Sequence, residues 1–189
     1  DWGLFAGSAI PALVFGVAFG NLFLGVPFNI DNLLRVSYQG SFFGLLNPFG
    51  LLAGLISITM LIAHAGMWLQ LRTADAVAER SAQYGRYALV VFIVLFAAAG
   101  FWVANINGYQ IVSMPDTQSH ADPLAKVVST AQGAWLNNYS ERPWTMTFPI
   151  LGFVMALSAL LFSKLNKPAL GLISTSIMLI GVIMTAGVS

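Results

Sequence analysis

The chain contains no cysteine among its 189 residues. Disulfides, thiolate metal sites, cysteine nucleophiles and iron–sulfur clusters are therefore excluded. Charge is nearly as scarce: Asp, Glu, Lys and Arg together make up 8% of the sequence, against roughly 25% in a soluble domain. So little polar material cannot coat a globule that faces water, so the outer surface must face lipid. A net charge of +1 leaves no basic footprint for nucleic acid. What the chain does have is apolar: 58% hydrophobic residues and a mean hydropathy of +0.80. The sequence opens at Asp1 with neither an initiator Met nor the basic segment of a signal peptide. It stops at Ser189 inside the apolar run 173–188, and both ends read as cuts in a longer protein.

About 20 mostly apolar residues cross a bilayer core. No charge falls between Asp1 and Asp31, which predicts a first span over 4–24, kinked at Pro11. Asn47-Pro48 supplies an N-cap followed by proline at the first helical position and opens a second span over 48–71. Further spans are predicted over 87–105, 146–164 and 169–189. The expected fold is all-α: one polytopic membrane domain over 1–189, a bundle of about five spanning helices with one long extracytoplasmic loop, 106–142. The loop 72–86 holds Arg72, Arg80 and Arg86, and the turn before the last span holds Lys164 and Lys167. Arg35, Lys126 and Arg142 fall on the other side, so the first set is cytoplasmic by the positive-inside rule. Trp2, Trp68, Trp102 and Trp144 fall near span ends, where indole rings suit the headgroup layer.

The outer loop is the main polar segment, with Asp116, His120, Asp122, Lys126, Asn137, Asn138 and Glu141. Its stretch 123–138 is expected to form an amphipathic interfacial helix that turns Leu124, Val127, Val128 and Trp135 to the membrane or bundle.

His64 leads the candidates for chemistry, because an ionisable group inside a span is a functional hypothesis. It shares three- and four-residue spacing with Gly50, Gly54, Ser57, Leu61 and Trp68, a small and polar helix face suited to another helix. Its sharper role would be haem ligation or proton relay. Its plainer role is a neutral imidazole bonded to a neighbouring helix, and the other histidine, His120, lies in the outer loop. Small residues pair at Gly3 and Gly7, Gly16 and Gly20, Gly50 and Gly54, and Gly152 and Ala156, which lets backbones approach. Asn21, Asn105 and Asn107 near outer helix ends read as caps or headgroup contacts rather than pore or ligand groups. Arg72 with Thr73, and Glu79 with Arg80, mark a solvated loop. No charge sits at mid-span, which counts against a self-contained pump.

The segment GVAFGNLFLGVPFNIDNLLR (16–35), followed by GSFFGLLNPFGLLAG (40–54), closely resembles subunit II of cytochrome bd quinol oxidases. Agreement continues through Trp68-Leu69-Gln70-Leu71-Arg72-Thr73, Gly133-Ala134-Trp135-Leu136 and Thr185-Ala186-Gly187. One departure is His64-Ala65-Gly66, where many members read His-Gly-Ala and others lack the His. The resemblance implies a bacterial cytoplasmic-membrane complex that oxidises quinol and reduces dioxygen to water while building a proton gradient. It implies a haem-bearing subunit I carrying two haems b and one haem d, with room for a small accessory subunit. This chain would correspond to roughly the third to seventh of about eight helices. It would support subunit I and a quinone or lipid between helices, binding no haem and no metal itself. No catalytic residue is assigned. Two other classes stay open at this point: a transporter or channel subunit, and a purely structural scaffold.

Overall fold

The computed structural model of the chain describes residues 1–31, 33–113 and 127–188. Among these described residues, five helices are long and apolar enough to cross a membrane. They are α1 (Trp2–Leu24), α2 (Pro48–Arg72), α3 (Asp75–Val103), α5 (Thr147–Lys164) and α6 (Pro168–Val188), with the short α4 (Asn137–Glu141) on the outer side. The all-α bundle expected from composition is what forms, and the helices at the first, second and last expected spans run over Trp2–Leu24, Pro48–Arg72 and Pro168–Val188.

Local chemistry explains the ends. The Asn47 side chain accepts the Gly50 N–H at 2.7 Å and so caps α2 ahead of Pro48. Asn166 takes a left-handed backbone after α5, and Lys167 N–H returns to the Phe162 carbonyl at 2.8 Å. Pro168 then starts α6 in the one position where its missing N–H costs nothing.

Two expectations are corrected. The stretch 72–86 is not a loop: α3 starts at Asp75, and only Thr73 and Ala74 separate it from α2. Its first turns are rich in Ala, Glu, Gln and Arg, good helix formers that carry the helix on beyond its apolar part. The amphipathic helix over 123–138 does not form among the described residues. Val127–Gln132 is a strand (β4) paired antiparallel with Asn107–Ser113 (β3). Val127, Val128 and Thr130 are β-branched and suit a pleated strand more than a helix. Val127 and Val128 are exposed on it, and Trp135 turns into the bundle. Leu124 lies outside the described residues, as do Asp116, His120, Asp122 and Lys126.

A second hairpin, β1 (Phe28–Ile30) with β2 (Val36–Tyr38), follows α1. The Asp31 carboxylate ties its turn: it accepts from the backbone N–H of Arg35 (2.8 Å) and Leu33 (2.9 Å) and from Arg35 Nε (2.7 Å). These donors, the Arg35 backbone N–H foremost, hold its pKa below the usual carboxylate value.

α2 is the centre of the bundle and packs on α1, α3 and α6, while α5 packs on α6 and α3. Phe92, Met67, Leu89, Met178 and Thr175 are fully buried where α2, α3 and α6 meet α5. The α2–α3 hairpin closes on Gly66 and Gly85: a Cβ on Gly66 would stand 2.7 Å from Gly85 Cα and 2.9 Å from the Ser81 carbonyl. Of the glycine pairs expected from spacing, Gly16 and Gly20 meet Gly50 and Gly54 directly. Gly3 and Gly7 face open space.

The end of α2 bearing Arg72, the part of α3 bearing Arg86 and the end of α5 bearing Lys164 come together, with Gln70 and Arg86 both reaching Ser163 of α5. With that end cytoplasmic, a cysteine placed at exposed Ala76 should label with impermeant thiol reagents only after the inner face is opened. One at Ser129 on β4 should label in intact cells. The reverse pattern would invert the topology.

Candidate functional site

The buried residues of α1, Gly16, Val17, Gly20 and Asn21, all lie in its second half, where Gly16 and Gly20 meet α2. Beside them is a cavity of about 930 Å³ between α1 on one side and α3, α5 and α6 on the other. Phe15, Phe19 and Phe23, four residues apart on α1, form one wall. Phe96, Phe153 and Ile183 form the opposite one, and Ile56 and Met60 of α2 line its base. Among the described residues no Asp, Glu, Lys, Arg or His lines it. Its size falls in the range of ligand sites, and the wall is almost wholly apolar. A long apolar chain, isoprenoid or acyl, suits it.

Aromatic rings close the outer end. Trp135 Nε1 donates to the Phe23 carbonyl at 3.1 Å, and its ring meets Phe23 and Tyr109 edge-on at 5.7 and 6.0 Å. Gly133, in the left-handed region with φ 71°, donates to the Ile106 carbonyl and turns the chain so that Trp135 reaches inward. Asn138 Nδ2 donates to the Val188 carbonyl at 2.9 Å and ties α4 to the end of α6.

Asn21 is buried near the same end. Its Nδ2 donates to the Val17 and Leu45 carbonyls (2.8 and 2.7 Å), and its Oδ1 accepts from Asn47 Nδ2 (2.8 Å). Asn21 is thus a buried lock between α1 and the cap of α2, rather than a cap of its own helix or a headgroup contact. Asn105 Nδ2 bonds the Phe101 carbonyl at the end of α3, and Asn107 pairs with Gln132 in the outer hairpin.

His64 is separated from the glycines with which it shares a stripe. Gly50, Gly54 and Ser57 lie along α1, whereas His64 Nδ1 meets Thr175 Oγ1 of α6 at 2.9 Å. Leu61 lines the cavity, and Trp68 is half-exposed with the Arg72 guanidinium 4.9 Å above its ring. One face of this 25-residue helix thus serves two neighbours, α1 along Gly50 and Gly54 and α6 at His64. Thr73 Oγ1 caps the Leu69 carbonyl, and Glu79 and Arg80 are exposed. At the Arg72 end of α2, Ser163 Oγ donates to Gln70 Oε1 at 3.0 Å, with Arg86 Nη1 3.5 Å from the same hydroxyl. This cluster was not read from the sequence, although a glutamine near a span end was a visible signal.

Haem does not fit what this segment offers. A haem pocket needs an axial ligand aimed into it, and His64 lies outside the wall of the cavity. Among the described residues no group of three or more His, Asp or Glu could hold a metal ion.

The sequence matches the family described as "Cytochrome bd terminal oxidase subunit II" over residues 1–189. It is 44% identical over 189 residues to the "Probable cytochrome oxidase subunit 2" of Haemophilus influenzae, covering all of this chain and 50% of that protein. It is 44% identical over 190 residues to the "Cytochrome bd-I ubiquinol oxidase subunit 2" of Escherichia coli K12, again covering all of this chain and 50% of the relative. The "Cytochrome bd ubiquinol oxidase subunit 2" of Bacillus subtilis is 30% identical over 129 residues, 68% of this chain and 36% of that protein. The chain thus spans about half the length of the first two relatives.

Proposed function

The chain belongs to the cytochrome bd terminal oxidase subunit II family, and from that premise we propose that it serves as the haem-free second subunit of a respiratory quinol oxidase in a bacterial cytoplasmic membrane. The match over every residue of the chain carries this reading, and it retires the transporter alternative. The complex would oxidise two quinols for each dioxygen reduced to two waters, four electrons passing and four protons being consumed on the cytoplasmic side. Protons from quinol would leave on the outer side. Two haems b and one haem d, in a partner subunit I, would carry those electrons.

The chain's own residues support a different part of the work. Close contacts between α1 and α2 and between α2 and α3 make a rigid slab, since small residues let backbones touch where lipid offers no hydrophobic drive. The cavity beside that slab would take the tail of a quinone or a lipid acyl chain, gripped by Phe15, Phe19, Phe96 and Phe153. Trp135 and its aromatic neighbours would exclude water from the outer end. With no ionisable side chain but Tyr139 in its wall, the cavity conducts no proton along a chain of titrating groups.

Reduced-minus-oxidised spectra test the reading. The full complex is expected to show b and d bands, and this subunit, folded without its partner, none. A complex without haem would refute the oxidase assignment. A stoichiometric b-type signal from the lone subunit, lost in His64→Ala, would refute its haem-free role.

A further inference from the structure

We propose that Nε2 of His64 is a hydrogen-bond acceptor site at membrane depth, held open by Thr175, that takes an O–H or N–H donor from beyond the described residues. The inference rests on hydroxyl geometry and stands apart from the oxidase reading.

Thr175 is fully buried in α6, and its Oγ1 lies 2.9 Å from two atoms: the Leu172 carbonyl oxygen and His64 Nδ1. A threonine hydroxyl has one hydrogen. The Leu172 carbonyl can only accept, so at that separation the hydrogen must lie between the two oxygens, or their lone pairs would face each other. This is the usual back-bond of a helical threonine. The hydroxyl then has only lone pairs left for the imidazole, and Nδ1 must carry the proton and donate. A neutral ring protonated at Nδ1 has a bare acceptor at Nε2.

The ring is neutral because nothing balances an imidazolium there. The one ion pair among the described residues is Asp31 with Arg35, on the outer hairpin. No carboxylate is among the hydrogen-bond partners of His64. The ring is only partly buried, and no donor among the described residues meets Nε2. It sits eight residues before Arg72, about 12 Å along the helix from that end, so water does not reach it as it would a headgroup residue. An acceptor left bare in hydrocarbon is costly, and a donor has to cover it. Two donors share the needed chemistry: a side-chain hydroxyl or N–H on a neighbouring helix of the assembled complex, and a quinol hydroxyl. Nδ1–H fixed by an oxygen with Nε2 free is also the orientation of a metal-bound histidine. The test therefore has to separate a hydrogen bond from iron.

Nitrogen NMR of the assembled complex, made with the full-length chain and [15N]histidine, reads both ring atoms. Subtracting the spectrum of His64→Gln isolates this residue. The expected result is a protonated Nδ1 and an unprotonated Nε2 whose resonance is displaced from that of a free acceptor toward a hydrogen-bonded one. Thr175→Val is expected to shift the population toward the Nε2–H tautomer. Extracting quinone and adding back decylubiquinol tells the sources apart. An Nε2 resonance that moves and then returns assigns the donor to quinol, and an unmoved one assigns it to a protein side chain. A ring protonated at Nε2 or at both nitrogens, an Nε2 at the free-acceptor position, or no response to Thr175→Val would each overturn the proposal. A ring broadened by haem iron would overturn it and the haem-free assignment together.

Discussion

Gly66→Ala is expected to lower the yield of assembled complex sharply, and Gly66→Leu to abolish it. The added methyl of alanine would meet backbone, not a movable side-chain tip: Gly85 Cα at 2.7 Å, the Ser81 carbonyl at 2.9 Å and Gly85 N at 3.2 Å. No rotamer change relieves such a contact, so α2 and α3 must separate along their length. Overpacking in a close-packed interior costs about 1–3 kcal/mol, with the upper end expected where only backbone can give. At 1.4 kcal/mol per tenfold, that is roughly a five- to hundredfold loss of the native arrangement. Gly85→Ala should be milder, because its nearest neighbours stand at 3.2 Å and one is the flexible end of Met67. The measurement is folded complex per unit membrane in a graded series at both positions. Wild-type assembly of Gly66→Ala would show that α2 and α3 do not cross at these glycines.

Gly54→Leu is expected to reduce assembly by about 1–3 kcal/mol, and Gly16→Leu by at least as much. A Cβ on Gly54 would stand 2.8 Å from Leu13 Cδ1, which can swing aside, but also 3.0 Å from the Leu13 carbonyl, which cannot. On Gly16 it would meet the Ala53 carbonyl and Gly54 Cα, both backbone. Forcing this seam apart should also move Asn21 from the α2 cap, since its bonds to Leu45 and Asn47 span the two helices. Leu55→Phe is the matched control, an enlarging change at a half-exposed position on another face of α2. Equal assembly of Gly54→Leu and Leu55→Phe, or a worse outcome for Leu55→Phe, would mean that α1 packs elsewhere.

Why some of this was legible and some not follows from what pattern records. Asn47-Pro48 announced the start of α2, because capping is a local transaction between neighbours in sequence. The pairing of Gly16 and Gly20 with Gly50 and Gly54 was foreseen as a packing face, but its partner helix was not. Gly66 went unread because no small residue stands four positions from it, and Ser81 with Gly85 was passed over although its spacing was visible; the two glycines meet across a hairpin, which spacing along one helix does not record. The polar first turns of α3 were read as a loop, since charge pattern reports where lipid ends and not where a helix does. β4 was read as a helix because its apolar residues were few enough to fit either period.

Composition and charge alone determined that this chain is a multi-pass helical membrane protein, because with 8% charged residues only lipid could face its surface. Its quoted segments alone determined its family, because runs of that length do not recur by chance. The tertiary structure alone decided that the stripe on α2 serves two helices, that an aromatic-walled cavity lies beside α1, and that His64 answers to Thr175 at a separation of 111 residues. Each of these depends on where a second helix lies in space. Hydrophobic periodicity states which face of a helix is buried, and in a membrane, where nearly every face is apolar, it cannot state against what.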